Sequence, residues 1–275
     1  MRHGSRFPCE FGFAHRLAWI GAAIAALIMV VSGSALAEGP GPGRMRRLNL
    51  NPEQREKLQR HIRDTRARTS EIGDDLRTAH MALYRQFGER RLDDRGVQET
   101  IRRINIDQLR LLNANLESQM RIREILTRDQ FGELRQAVSG WGANLGEGLG
   151  LRVGGSAEDV RRLGLSPEQQ DRITRLFRSS SETMKSLSQR LRADAEGLGN
   201  LYLSYDLDVK QARSLIGSLN DAQLRILRAA AARQVELRKI LTEEQFRELS
   251  RSVHPPGGPG RPGGPGRHHW RHEGR

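Results

Sequence analysis

Apolar and small side chains recur along the chain in alternating steps of four and three. The first series is Leu58, Ile62, Thr65, Thr69, Ile72, Leu76, Ala79 and Leu83, and charged residues fill the positions between them. This spacing marks the narrow seam of a coiled-coil-like helix. The series returns at Ile173, Phe177, Ser180, Met184, Leu187 and Leu191. Turn-forming residues interrupt the pattern at 88–94 and again at 204–208. A second long helix is predicted after each break, from about Val97 to Ile125 and from about Val209 to Ile240. Neither helix of a pair can bury its stripe alone, so each pair is predicted to fold back on itself as a hairpin. The expected fold class is all-α: two tandem helical hairpins of long amphipathic helices.

The two hairpins are copies of one unit. LNPEQ at 50–54 returns as LSPEQ at 165–169, and LTRDQFGEL at 126–134 returns as LTEEQFREL at 241–249, both at an offset of 115. The interior holds the same register: Leu76 and Arg77 match Leu191 and Arg192, and Gln108 and Arg110 match Gln223 and Arg225. The chain is therefore a tandem duplication. The units are placed at 48–138 and 163–252. A Gly-rich linker is expected at 139–162, a flexible segment at 38–47, and a disordered tail of Pro, Gly, Arg and His at 253–275.

The repeated pentapeptides read as helix starts. Asn51 and Ser166 are N-caps, with Pro at the first helical position and Gln54 and Gln169 at the third. Thr127 and Thr242 cap in the same way above Gln130 and Gln245, completing capping boxes. Leu126 and Leu241 precede those caps and staple onto Phe131 and Phe246. Leu50 and Leu165 hold the equivalent place before the other two caps. As a helix-start device, the motif needs no partner elsewhere.

The amino terminus adds an address. Arg2, Arg6 and Arg16 precede an apolar run at 17–31, and Ala35 and Ala37 follow it before Glu38. This is the layout of an export signal cleaved after Ala37, so residues 1–37 are read as a signal peptide. The apolar run falls short of the ~20 residues that span a bilayer comfortably. The expected location is the periplasm, with no stable membrane anchor after cleavage. Cys9 is the only cysteine, so an exported chain would have neither disulfide nor thiolate ligand.

Charge sharpens the choice of partners. The formal net charge is +13, and of 46 basic residues only Lys57, Lys185, Lys210 and Lys239 are lysine. Such a surface suits nucleic acid, anionic membrane or acidic protein, and export removes nucleic acid. No G-x-S-x-G, phosphate-binding Gly loop or H-E-x-x-H is present, so the chain is not expected to be an enzyme. The candidate metal ligands are His254, His268, His269 and His272 of the tail, which could chelate Zn2+ or another divalent transition metal. His61 and His80 have Leu176 and Ala195 as counterparts and read as surface or seam residues rather than ligands.

An export signal, an Arg-rich helical body and paired L-[TSN]-x-x-Q motifs resemble the Spy/CpxP family of periplasmic stress proteins, which includes zinc-resistance-associated relatives. The resemblance rests on Leu50, Asn51 and Gln54; Leu126, Thr127 and Gln130; Leu165, Ser166 and Gln169; and Leu241, Thr242 and Gln245. It implies a curved cradle of helical hairpins. It also implies ATP-independent holding of unfolded envelope proteins, contact with the periplasmic domain of a sensor kinase, or heavy-metal sensing and resistance. No cofactor is required for the first of these. Family hairpins self-associate in pairs, whereas this chain carries two units. The two are therefore expected to pair within one chain as a pseudo-dimer.

Overall fold

The computed structural model describes residues 48–138 and 163–253, with side chains described for 48–136 and 163–250. The expected signal peptide, the segment 38–47, the linker 139–162 and tail residues 254–275 lie outside the described residues. Every regular element among those residues is helical. Unit one holds α1 (Pro52–Gly88), α2 (Asp94–Ile125) and α3 (Arg128–Val138). Unit two holds α4 (Pro167–Leu203), α5 (Val209–Ile240) and α6 (Glu243–Val253).

Local chemistry places most boundaries. Asn51 and Ser166 form full capping boxes with Gln54 and Gln169, and Pro opens both α1 and α4. Just before these caps the backbone passes through the left-handed region at Asn49 (φ 45°) and Gly164 (φ 57°). These two residues share one position of the repeat, and Gly and Asn are the residue types that tolerate that conformation best. Two boundaries differ from the sequence reading. α2 begins at Asp94 rather than near Val97, because Asp93 takes the extended cap conformation and its carbonyl accepts from Val97 N at 2.9 Å. α6 runs to Val253, one residue into the expected tail.

At 1.5 Å per residue, the 37-residue α1 and α4 are each about 55 Å long. α1 packs along α2, α4 along α5, and α2 against α5. The last contact joins the two units. Arg123 near the end of α2 reaches Ser204 just before α5, and Arg238 near the end of α5 reaches Glu89 just before α2. α2 and α5 are therefore antiparallel. Two of the cores are shared across this seam. Leu227 and Ala231 of unit two complete a cluster with Ile72, Leu76, Ile101 and Ile104 of unit one. Leu112 and Leu116 of unit one complete a cluster with Leu219, Ala222 and Ile226 of unit two. The pairing is the intramolecular pseudo-dimer expected from the repeat.

The short helices close the far ends. Phe131 and Leu134 of α3 cover Leu48, Leu50, Leu58 and Ile125. Phe246 of α6 covers Leu163, Leu165, Ile173 and Ile240. The copies are not equally tight. Thr69 and Ile72 of α1 are buried, whereas their counterparts Met184 and Leu187 of α4 are only partly covered; Phe177 and Ser180 are partly covered too, like Ile62 and Thr65 in unit one. The seam expected along α4 is thus half open.

Candidate functional site

The motif residues meet in pairs, which their reading as isolated helix starts did not foresee. Gln54 Oε1 accepts from its own cap, Asn51 N, at 3.1 Å, while its Nε2 donates to Ile125 O at 2.9 Å and Gln130 Oε1 at 2.9 Å. Gln130 Oε1 also accepts from Thr127 N at 3.0 Å, and its Nε2 donates back to Gln54 Oε1 at 3.2 Å. Each amide therefore caps its own helix and grips the other. Unit two repeats the lock. Gln169 Nε2 donates to Ile240 O at 2.8 Å and to Gln245 Oε1 at 2.9 Å, and Gln245 Nε2 returns a bond of 3.3 Å. Ser166 and Thr242 accept from the amides of Gln169 and Gln245. Leu50, Leu126, Leu165 and Leu241 are buried beneath these locks. An amide side chain both donates and accepts, so Gln can do this where Glu cannot.

Gln54→Ala will strand Ile125 O, one of the orphan carbonyls at a helix end, together with half of the Gln130 amide. The expected loss is about 2 kcal/mol of folding stability, read as a lower urea midpoint. A change below about 0.5 kcal/mol, the range of ordinary surface substitutions, would contradict the lock.

A second pair of residues ties the units together. The Arg123 guanidinium donates to Tyr202 O at 2.8 Å, Ser204 O at 2.6 Å and Tyr205 O at 3.1 Å, and lies 4.4 Å over the Phe131 ring. Its counterpart Arg238 donates to Phe87 O at 2.8 Å and Glu89 O at 2.6 Å, and lies 4.4 Å over Phe246. Tyr205 Oη in turn donates to Arg123 O at 3.3 Å, and Arg90 at the equivalent position donates to Arg238 O at 2.9 Å. The contact is self-complementary in the manner of a two-fold dimer interface. Burial lowers the pKa of both arginines. For Arg238, Arg90 adds to the effect of burial and the value falls to about 10.

His61 and His80 belong to the packing of α1. His61 Nε2 meets Ser118 Oγ at 2.9 Å, joining α1 to α2. His80 Nδ1 donates to Leu76 O at 2.8 Å, which leaves its buried Nε2 without a partner. Burial holds both imidazoles below their ordinary pKa, and Arg121 pushes His61 further down. The two rings sit nineteen residues apart on one helix, about 28 Å by helical rise, so they cannot share an ion. Among the described residues, no three His, Cys, Asp or Glu side chains gather where they could hold a metal. The body therefore does not fit a resident metal. His254, His268, His269 and His272 lie outside the described residues.

The buried rings make stability depend on pH. The unfolded chain takes up protons near pH 6.5 and the folded chain only at lower pH, so stability falls as pH drops from 7 to 5. His80→Leu removes its share of that slope, because a proton on Nε2 has no acceptor in the fold. Urea midpoints at pH 7 and pH 5 test this, and an unchanged slope in the variant would refute it.

The surface mixes apolar and arginine side chains. Among the described residues, Met81, Ile106, Leu109 and Leu203 are the large hydrophobic residues left exposed, Ile106 at 52 %. Met81 lies one turn from exposed Arg77 and Arg85, and Ile106 one turn from exposed Arg102 and Arg110. No helix among the described residues is long and apolar enough to cross a membrane. A family model for heavy-metal resistance matches residues 16–133 and matches again at 136–248. Comparison with curated proteins and with solved structures gives no match.

Proposed function

Because the chain belongs, twice over, to the heavy-metal resistance family of Spy/CpxP-like helical proteins, we propose that it is a periplasmic holdase. In this reading it binds unfolded or aggregation-prone envelope proteins without nucleotide. The observation that carries it is the exposed apolar side chains set one helical turn from arginines, at Met81 and Ile106. A binder of many unfolded chains needs scattered apolar contacts and long adaptable side chains. Arginine adds an apolar stem and a weakly hydrated head. Positive charge speeds encounter and makes it sensitive to salt. The locks and the interdomain arginines hold this surface on a rigid frame.

The test is light scattering of a chemically denatured client diluted with the chain from Glu38 to Arg275, without nucleotide. The chain suppresses aggregation, less so at high salt. Met81→Ser combined with Ile106→Ser weakens suppression while leaving the urea midpoint nearly unchanged. Suppression that is absent, or indifferent to both salt and the two substitutions, would overturn the reading.

The family description favours a second reading, a periplasmic metal sensor or resistance protein that uses His254, His268, His269 and His272 to bind Zn2+ or a similar ion. In that reading the partner is a sensor-kinase periplasmic domain. Truncation after Val253 separates the two: it removes zinc binding under the second reading and spares client holding under the first.

A further inference from the structure

The half-open seam of unit two exposes a cleft of about 560 Å³ between α4, α5 and the first turn of α2. Two cross-helix pairs of unit one have no equivalent at it. In unit one, His61 bonds Ser118, and Arg68 pairs with Glu117 at 2.6 Å, fastening α1 to α2. The same positions in unit two carry Leu176 with Arg233 and Thr183 with Ala232, pairs whose side chains can form neither bond.

Arg233 is the residue that needs explaining. It lines the cleft, is only 6 % exposed, and makes no hydrogen bond or ion pair among the described residues. Its guanidinium carbon lies 5.9 Å from the centre of the Phe177 ring. Burial alone shifts its pKa downward, with no charge partner offsetting it. A buried, unpaired guanidinium is costly, and buried charges are ordinarily paired. Around it stand the hydroxyls of Ser179, Ser180 and Thr183 and the exposed Arg228. The first turn of α2 adds a helix N-terminus whose cap residue, Asp93, makes no side-chain capping bond. These groups favour an anion. Two carboxylates also line the cleft. Glu236 is held by Lys239 at 2.7 Å, and Asp94 is exposed near Arg238. Leu176, Val97, Ala229 and Ala232 supply apolar wall.

We propose that this cleft binds a carboxylate carried on an apolar body, as an acidic residue within an apolar polypeptide segment presents it, with Arg233 as the counter-charge. The anion supplies the partner that Arg233 lacks, and the alanines and Leu176 take the flanking apolar groups. This deepens the holdase reading by naming a feature of the client. It is tested by direct titration, so a failure of the cleft and a failure of aggregation suppression are separate results.

The experiment is calorimetric titration of the chain from Glu38 to Arg275 with a capped five-residue peptide alternating leucine or phenylalanine with glutamate. The matched glutamine peptide and inorganic phosphate are run beside it. The glutamate peptide binds at least about tenfold more tightly than the glutamine peptide, and Arg233→Gln abolishes that difference, because charge-assisted bonds carry the selectivity. Arg233→Met also loses the selectivity yet raises the melting temperature by a few degrees, since it removes a buried unpaired charge; a folded variant thus guards the result. Equal affinity for the two peptides, wild-type selectivity in Arg233→Gln, or absence of binding at millimolar peptide would overturn the proposal. Phosphate binding at Arg233 that the glutamate peptide cannot displace would also overturn it, by assigning the cleft to a free anion.

Discussion

Arg238→Ala lowers the stability of the folded chain by about 4 kcal/mol, a sum of charge-assisted hydrogen bonds at about 1.5–3 kcal/mol and a ring contact at about 0.5–2. One guanidinium satisfies Phe87 O and Glu89 O at the C-terminal end of α1, reaches back to Gln234 O, and covers Phe246. The Phe87 and Glu89 carbonyls lie at the negative end of α1 and have no intrahelical donor. Truncation to alanine removes the donor that these carbonyls share. The lowered pKa of Arg238 shows that its burial already costs something, which keeps the expected figure below the sum of its bonds taken singly. Arg238→Lys keeps the charge but not the planar fork or the stack, so it recovers less than half of the loss. Urea unfolding of both variants decides the matter. A shift below about 0.5 kcal/mol in Arg238→Ala, the range of ordinary surface changes, would mean the clamp is ornamental.

The hairpins were legible because their signals are local. Seam spacing, the breaks after Gly88 and Leu203, and the caps at Asn51 and Ser166 all act within a few residues of themselves. The offset of 115 made the pairing of units foreseeable, since two copies of a hairpin with an uncovered stripe have each other to cover it. What the linear pattern could not show was contact at long separation. Gln54 and Gln130 are 76 residues apart, and nothing in either capping box says that the second amide of each glutamine is aimed at the other. Arg123 and Arg238 were hidden differently. They are two among 42 arginines, and Arg77 with Arg192 or Arg110 with Arg225 repeat at the same offset without spanning the units. Only the neighbouring aromatic, Phe131 or Phe246, sets them apart once the fold places it beneath them. The open seam of α4 was also out of reach. Met184 and Leu187 are more apolar than Thr69 and more or less equal to Ile72, yet they are less covered. The polar latch of unit one is also missing there, since Leu176 and Arg233 stand where His61 and Ser118 meet.

Cutting the chain between the units lowers its stability by about 4 kcal/mol at about 1 µM protein and makes the unfolding midpoint depend on concentration. The figure follows from the tether. Two modules on one chain meet at an effective concentration of about 1 mM, and dilution to about 1 µM is a thousandfold change. The intact chain, by contrast, unfolds at a midpoint independent of concentration and has the mass of a monomer, because the surface a dimer would use is already occupied from within. The fragments nevertheless stay together at tens of micromolar. Neither can complete its core alone: Leu227 and Ala231 fill the cluster around Ile104, and Leu112 and Leu116 fill the one around Leu219. Separation would return those side chains to water and strand the carbonyls held by Arg123 and Arg238. A protease site placed within 139–162, followed by size exclusion and urea unfolding at several concentrations, tests this. Fragments that part at tens of micromolar, or a midpoint unchanged by cleavage and dilution, would show two self-sufficient units on a string. Association with a concentration-dependent midpoint identifies the duplication as a dimer made permanent, in which two formerly identical halves are free to diverge. Only in such a pair can one hairpin keep its latch while the other opens a cleft.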